Sequence, residues 1–258
     1  MSGAPAASTA PRRILSIWLP SLAIDRWRLV MGEQARALAD APLVLISDTA
    51  HGPRIEAVTQ IAAAAGAQRG MMLADARTLC PAIATAPSDP AGDLAFLEQL
   101  ALWAQRWGPW SALDAPDGLL VDVTAVAHLF GGERRLLDDV HARFTGQGLT
   151  ARAAIAPTAG AAWGLAHYAS PGRILASGDG NDAYGQMVTT LSPLPVAALR
   201  LDADVLLVLR RLGLKELGDL FGFGAGPGRD AIQRRFRNRR SPAANPLIRM
   251  DQLLGRVP

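Results

Sequence analysis

The side chains best suited to chemistry in this chain are arginines. Arg229 to Arg240 reads RDAIQRRFRNRR, the densest basic run in the sequence. Guanidinium forks match phosphate oxygens well, which makes Arg234 and Arg235 candidates for contact with a nucleic-acid backbone. The same pattern also suits a solvated helix face, and both readings stand. Nothing in the run is built to read base edges, so any DNA binding is expected to be weak, salt-sensitive and sequence-independent. Gly222 to Gly228 (GFGAGPG) lacks the Gly-Lys-Ser/Thr ending of a phosphate loop, and Pro227 has no N–H to donate. A flexible connection is expected there. His51, His128, His141 and His167 are scattered without zinc-ligand spacing. Asp117 stands between Pro116 and Gly118, a turn composition that leaves both a turn role and a metal contact open. There is no G-x-S-x-G to support a serine hydrolase.

The elements that must position these residues alternate between strand and helix. Arg13–Leu19 is an apolar run ended by Pro20 and predicts a buried strand; Ser21 is placed to cap a helix running to about Leu38. Leu43–Ser47 and Ile55–Thr59 predict two more strands, Ile61–Ala65 a short helix closed at Gly66, and Leu73–Leu79 another stopped by Pro81. Leu94, Leu97, Leu100, Trp103 and Trp107 recur at helical spacing across about 91–107. Gly118–Thr124 predicts a strand, Glu133–Thr145 a helix, Thr150–Ala156 a strand, Gly160–Ala169 a helix and Gly172–Ser177 a strand. Beyond about residue 190 the pattern is wholly helical. Strands alternating with helices, then helices alone, predict an α+β domain followed by a small α-helical one.

Composition excludes several classes. The 258 residues are 50% apolar and 19% charged, with 26 basic and 23 acidic side chains, a surplus of +3. Cys80 is the only cysteine, so an intrachain disulfide is impossible and a reducing, cytoplasmic setting fits; a buried small hydrophobe is the expected role. Met1–Pro11 has no signal-peptide core and reads as a disordered lead-in, and no run reaches the roughly 20 apolar residues of a membrane span. No membrane partner is expected.

Several phrases, in order, resemble the Y-family DNA polymerases. Ala115–Thr124 (APDGLLVDVT) sits where active members write S-[IL]-D-E-A-[FY]-L-D-V-T. Arg12–Ile17 is similar to the first palm strand, Gly66–Met71 with Leu79-Cys80-Pro81 to the fingers, Ala154–Pro157 to a later palm strand, and Leu212-Gly213-Leu214 with Leu217–Leu220 to the thumb's helix-hairpin-helix. Asp122-Val123-Thr124 followed by His128–Glu133, and Leu194-Pro195 with Leu199-Arg200-Leu201, resemble the ImuB-type members, which work in bacterial damage-induced (SOS) mutagenesis. The resemblance implies an α+β fold with a mixed or antiparallel palm sheet, small fingers and an all-α thumb. It implies palm at 12–27 and 86–178, fingers at 28–85 and thumb at 179–258, with the little finger and the clamp-binding tail absent. Partners implied are DNA, a separate error-prone replicative-type polymerase, a RecA-like adaptor and the sliding clamp.

The same resemblance implies that nucleotide transfer is lost. Active members hold two Mg²⁺ ions with an Asp on the first palm strand and an Asp-Glu pair on the second. Here those positions are Trp18, Asp117 and Gly118, so one carboxylate of three remains and no metal or other cofactor is expected. Residues that hold the incoming triphosphate or exclude ribonucleotides fall at Gln60, Ala63, Ala159 and Ala23. In the thumb the hairpin is expected to offer backbone N–H groups to a phosphate, flanked by Arg210, Arg211 and Lys215. A non-catalytic DNA-binding adaptor is the leading expectation. A low-activity polymerase recruiting Asp25 or Asp114, and a pure protein-interaction module, are the alternatives.

Overall fold

The computed structural model describes residues 11–176, 181–221 and 227–257, with the backbone alone at 181–183 and 227–231. The lead-in up to residue 10, most of the glycine-rich connection and the 178/179 domain boundary lie outside the described residues. In chain order the first elements are β1 (Ile14–Trp18), α1 (Leu22–Met31), α2 (Glu33–Ala37), β2 (Leu43–Thr49), β3 (Gly52–Val58), α3 (Gln60–Ala64), α4 (Leu73–Leu79) and β4 (Ala84–Pro87). They are followed by α5 (Pro90–Ala104), β5 (Trp110–Asp114), β6 (Gly118–Asp122), α6 (Glu133–Gly146), β7 (Arg152–Ala156), α7 (Ala159–Tyr168) and β8 (Arg173–Ile174). The rest is helical: α8 (Asn181–Leu191), α9 (Ala203–Arg211), α10 (Leu217–Phe221), α11 (Pro227–Phe236) and α12 (Pro246–Leu253).

A five-stranded sheet runs β5-β6-β1-β7-β8, antiparallel except for the parallel β7–β8 edge. β1 is central and buried on both faces, which is why its sequence is continuously apolar rather than alternating. Leu15 and Ile17 face α5 and α6 and pack with Leu97, Trp107, Leu136 and Phe144. Ile14 faces the other way, toward α7 and the C-terminal helices. That second core joins Ala154 and Leu165 to Leu199, Leu209, Ile232 and Leu253, so the helical segment packs directly onto the sheet. A smaller sheet, β3-β2-β4, has its own core around Val44, Ile55 and Leu73.

One buried ion pair locks the start of β1. Arg13, 6% exposed, donates from Nε and Nη2 to both carboxylate oxygens of Glu133 at 2.5 and 2.7 Å, and from Nη1 to the Leu175 carbonyl. Among the described residues four helices are capped by side chains: Thr59 accepts from the Ala62 N–H, Asp89 from Gly92, Thr158 from Ala161 and Asn245 from Leu247.

Some expectations change. The helix expected to run from Ser21 to Leu38 breaks at Gly32, whose φ of 52° lies in the left-handed region that glycine tolerates. Ser21 stands at the N-cap but makes no side-chain capping bond. β4 and β5 were not expected. β4 is a four-residue parallel edge strand containing a proline, and β5 is an edge strand with Trp110 and Leu113 exposed, so neither shows the buried pattern that sequence periodicity detects.

Candidate functional site

The C-terminal end of β1 gathers the residues of interest. Trp18 pairs in register with Gly118 on one side and Arg152 on the other. The β5–β6 turn closes with Asp114 opposite Gly118, which holds Asp117 over the end of β1; the Leu19 N–H donates to the Asp117 carbonyl at 2.8 Å. The indole Nε1–H of Trp18 then donates to Asp117 Oδ2 at 3.1 Å. Trp18, Asp117 and Gly118 therefore share one corner of the sheet.

An aromatic stack extends from this corner. The His167 ring lies over Trp18 at 4.3 Å and over Trp163 at 3.7 Å, and α7 brings both its rings there because positions four apart share a helix face. The Arg200 guanidinium covers Trp163 at 4.9 Å and pairs with Asp114 at 2.6 Å. Arg152 lies 5.5 Å from the Trp18 ring. Asp117, three rings, Arg200 and Asp114 thus form a continuous chain of contacts. His167 Nδ1 lies 2.9 Å from the Trp163 carbonyl, which only accepts, so Nδ1 carries the proton. Burial pushes the imidazole pKa below its ordinary 6.5, aided by the Arg200 charge and opposed by the Trp163 bond and the two aspartates.

The carboxylates near this corner already have partners. The Asp117 carboxylate is engaged by the indole, Asp114 by Arg200, and Asp122 accepts from the Thr124 hydroxyl and N–H. A side chain added at Gly118 would put its Cβ 3.0 Å from the Asp114 carbonyl oxygen, so a second acidic residue requires the turn to move. Asp25 is 2% exposed, and its Oδ2 accepts the Thr150 N–H at 2.8 Å, a structural bond between α1 and the approach to β7. Among the described residues no three His, Cys, Asp or Glu side chains group as metal ligands.

A cleft of about 440 Å³ opens between the β1–α1 corner and the smaller sheet, with Ala23, Leu45, Glu56, Arg69, Leu94 and Asp117 among its lining. Ala23 is in the cleft. Gln60 and Ala63 are exposed on α3 and are not among the lining residues. Ala159 begins α7, eight residues before His167 and so about 12 Å along the helix, where it lines a different cavity. The four positions expected to mark nucleotide loss are therefore not one cluster. Among the described residues Arg69 is the only cation lining the cleft, against Glu56, Asp93 and Asp117. Asp93 is neutralised by Arg26 at 3.1 Å, and the remaining balance disfavours a polyanion.

Arg210 and Arg211 end α9, Lys215 follows in the turn to α10, and Arg234 and Arg235 lie in α11; all five are exposed. Among the described residues none of them forms an ion pair. The hairpin corrects one expectation. Leu212, Gly213 and Leu214 donate their N–H groups to carbonyls of α9, and the Lys215 and Glu216 N–H groups donate to Asp219 Oδ2 at 2.8 and 3.0 Å. Those backbone donors are spoken for, so a phosphate met here must be held by side chains. The two bonds also hold the Asp219 carboxyl below its ordinary pKa.

Sequence reasoning missed Trp163, His167 and Arg200 as members of this corner, and named Asp114 only as a ligand a low-activity polymerase would recruit. The Trp163/His167 spacing was a faint signal; Arg200 lay in a family-like phrase but its place here depends on a left-handed φ of 54°, which the sequence did not signal.

The sequence model of the impB/mucB/samB family matches residues 29–166. Protein ImuB of Caulobacter vibrioides, from strains NA1000/CB15N and ATCC 19089/CIP 103742/CB 15, is 40% identical over 186 residues, 72% of this chain. The match spans only 37% of those relatives' own length. Among solved structures, the insertion ternary complex of Dbh DNA polymerase superposes with a TM-score of 0.74 at 14% identity, covering 95% of this chain and 68% of that one. DinB from Sulfolobus solfataricus gives 0.69 at 14%, covering 95% and 67%. At that identity the likeness establishes the fold. Among the described residues no helix is long and apolar enough to cross a membrane.

Proposed function

Because this chain belongs to the impB/mucB/samB family of Y-family polymerase homologues, we propose that it is a non-catalytic, polymerase-shaped adaptor in DNA damage tolerance. It binds DNA weakly and without sequence preference. The observation that carries this reading is the Trp18 indole, which stands beside Asp117, the one carboxylate left of the three family ligand positions, and donates its N–H to it. Phosphoryl transfer is mostly positioning and charge stabilisation, and a carboxylate engaged this way supplies neither for a metal pair. The engagement of Asp114 and Asp25 elsewhere counts against a low-activity polymerase that recruits them.

In this reading residues 12–27 and 86–178 are palm, 28–85 fingers and 179–258 thumb. Arg210, Arg211, Lys215, Arg234 and Arg235 meet backbone phosphates. By similarity to ImuB-type proteins, its partners are a separate error-prone polymerase, a RecA-like adaptor and the sliding clamp, in the cytoplasm.

Primer extension on a primed template, with Mg²⁺ or Mn²⁺ and all four deoxynucleotides, tests it. No incorporation is expected. Extension that disappears in Asp117→Ala would sink the non-catalytic reading, whereas salt-independent or absent DNA binding would leave a pure protein-interaction module.

A further inference from the structure

A second cavity, of about 570 Å³, lies at the opposite end of α7 from the aromatic stack. Four arginines line it (Arg12, Arg200, Arg249 and Arg256), and among the described residues its lining contains no carboxylate. Ile14 and Leu253 supply an apolar floor, and the N-terminal end of α7, a ten-residue helix, opens into the same space through Thr158 and Ala159.

The guanidinium groups are unevenly satisfied. Arg200 reaches out to Asp114, and Arg256 is held by Asp251 at 3.2 Å and by the Tyr184 hydroxyl. Arg12 is largely exposed and stands 3.7 Å from Asp122. Arg249 is the exception. Its Nη1 donates to Gln252 Oε1 at 3.3 Å, but its Nε is buried with no acceptor among the described residues. Burial lowers its pKa, and the neighbouring Arg200 charge lowers it further, against a partial pull from Asp202. Arg200 is offset by Asp114, but among the described residues Arg249 forms no ion pair of its own, so a like charge beside it is unfavourable and an entering anion relieves it. Arg200 adopts its left-handed backbone at this same point, and non-glycine residues held in that region cluster at ligand sites.

We propose that this cavity binds a small oligophosphate-bearing ligand. Its volume falls within the roughly 300–1,000 Å³ of small-molecule pockets. Guanidinium forks match phosphate oxygens bidentately, and several converging forks suit a di- or triphosphate better than a single carboxylate. The positive end of α7 adds to the same field. The site is distinct from the cleft at Asp117 and from the exposed arginines of α9 and α11, and it does not depend on the adaptor reading.

Titration calorimetry at low ionic strength, with inorganic pyrophosphate and tripolyphosphate as probes, decides it. Saturable binding of one anion per chain is expected, weakened at least tenfold by Arg249→Gln and unchanged by Arg36→Gln on the distant α2. Should Arg249→Gln fail to fold, Ala159→Asp serves in its place. Ala159 is exposed in the first turn of α7, where a carboxylate favours the helix, yet that charge repels the ligand. Ala159→Asp is expected to keep its thermal midpoint and lose binding. No saturation by about 1 mM, or wild-type affinity in Ala159→Asp, overturns the proposal. So does displacement of pyrophosphate by a short single-stranded oligonucleotide at lower concentration, which assigns the site to a nucleic-acid backbone.

Discussion

Replacing Trp18 by Phe removes the indole N–H while keeping a ring over His167. The lost bond runs to a carboxylate at 3.1 Å on a half-buried surface. Hydrogen bonds to charged groups contribute about 1.5–3 kcal/mol, and this geometry belongs at the lower end, about 1.5 kcal/mol. Trp18→Ala loses more: the stack on His167 at 4.3 Å, about 0.5–1.5 kcal/mol, and the Arg152 contact at 5.5 Å, about 0.5 kcal/mol. With the packing surface added, the total approaches about 4 kcal/mol, within the range for removing a large aromatic side chain. A cycle of Trp18→Phe, Asp117→Ala and the double variant, read by urea unfolding in far-ultraviolet circular dichroism, isolates the pair. A coupling of about 1–1.5 kcal/mol is expected. Additivity within about 0.3 kcal/mol, or equal costs for Trp18→Phe and Trp18→Ala, would show that the indole does not hold Asp117. The carboxylate would then be free for a cation, and the main argument against catalysis would be gone.

Three other outcomes are expected. Glu133→Ala leaves the Arg13 guanidinium buried without its carboxylate and should cost about 3–5 kcal/mol in chemical denaturation; a loss under 1 kcal/mol would mean Leu175 alone satisfies it. Neutralising Arg234 and Arg235 together should lower the slope of log affinity for duplex DNA against log salt by about 2, with little change between sequences, as anisotropy titrations will reveal. His167 has a folded pKa below its ordinary 6.5, so below pH 6.5 the unfolded chain takes up the proton that the folded chain resists. Stability is therefore lost as pH falls from 6.5 toward the folded pKa, and His167→Phe should flatten that limb of a thermal-midpoint profile; an unchanged limb would assign it to other groups.

The sequence alone carried most of the order of elements, missing the two edge strands β4 and β5, as well as the α+β class and the family. β1, β6 and β7 were legible because buried central strands are written as continuous apolar runs, and α5 because its apolar positions recur at helical spacing. The residues at Trp18, Asp117 and Gly118 were legible because a likeness between chains aligns positions without knowing their contacts. Tertiary structure decided what those positions do. Trp18 and Asp117 are 99 residues apart, and only the antiparallel register of β1 on β6 brings the indole to the carboxylate. The same register, with α7 crossing the sheet, assembles His167, Trp163 and Arg200 around them, and it separates Ala159 from a cleft that alignment had grouped it with. The cavity at Arg249 draws on the start of β1, the start of α7, the turn at Arg200 and α12. Its charge is invisible in any one segment, because a field is the sum of groups that only folding brings within a few ångströms.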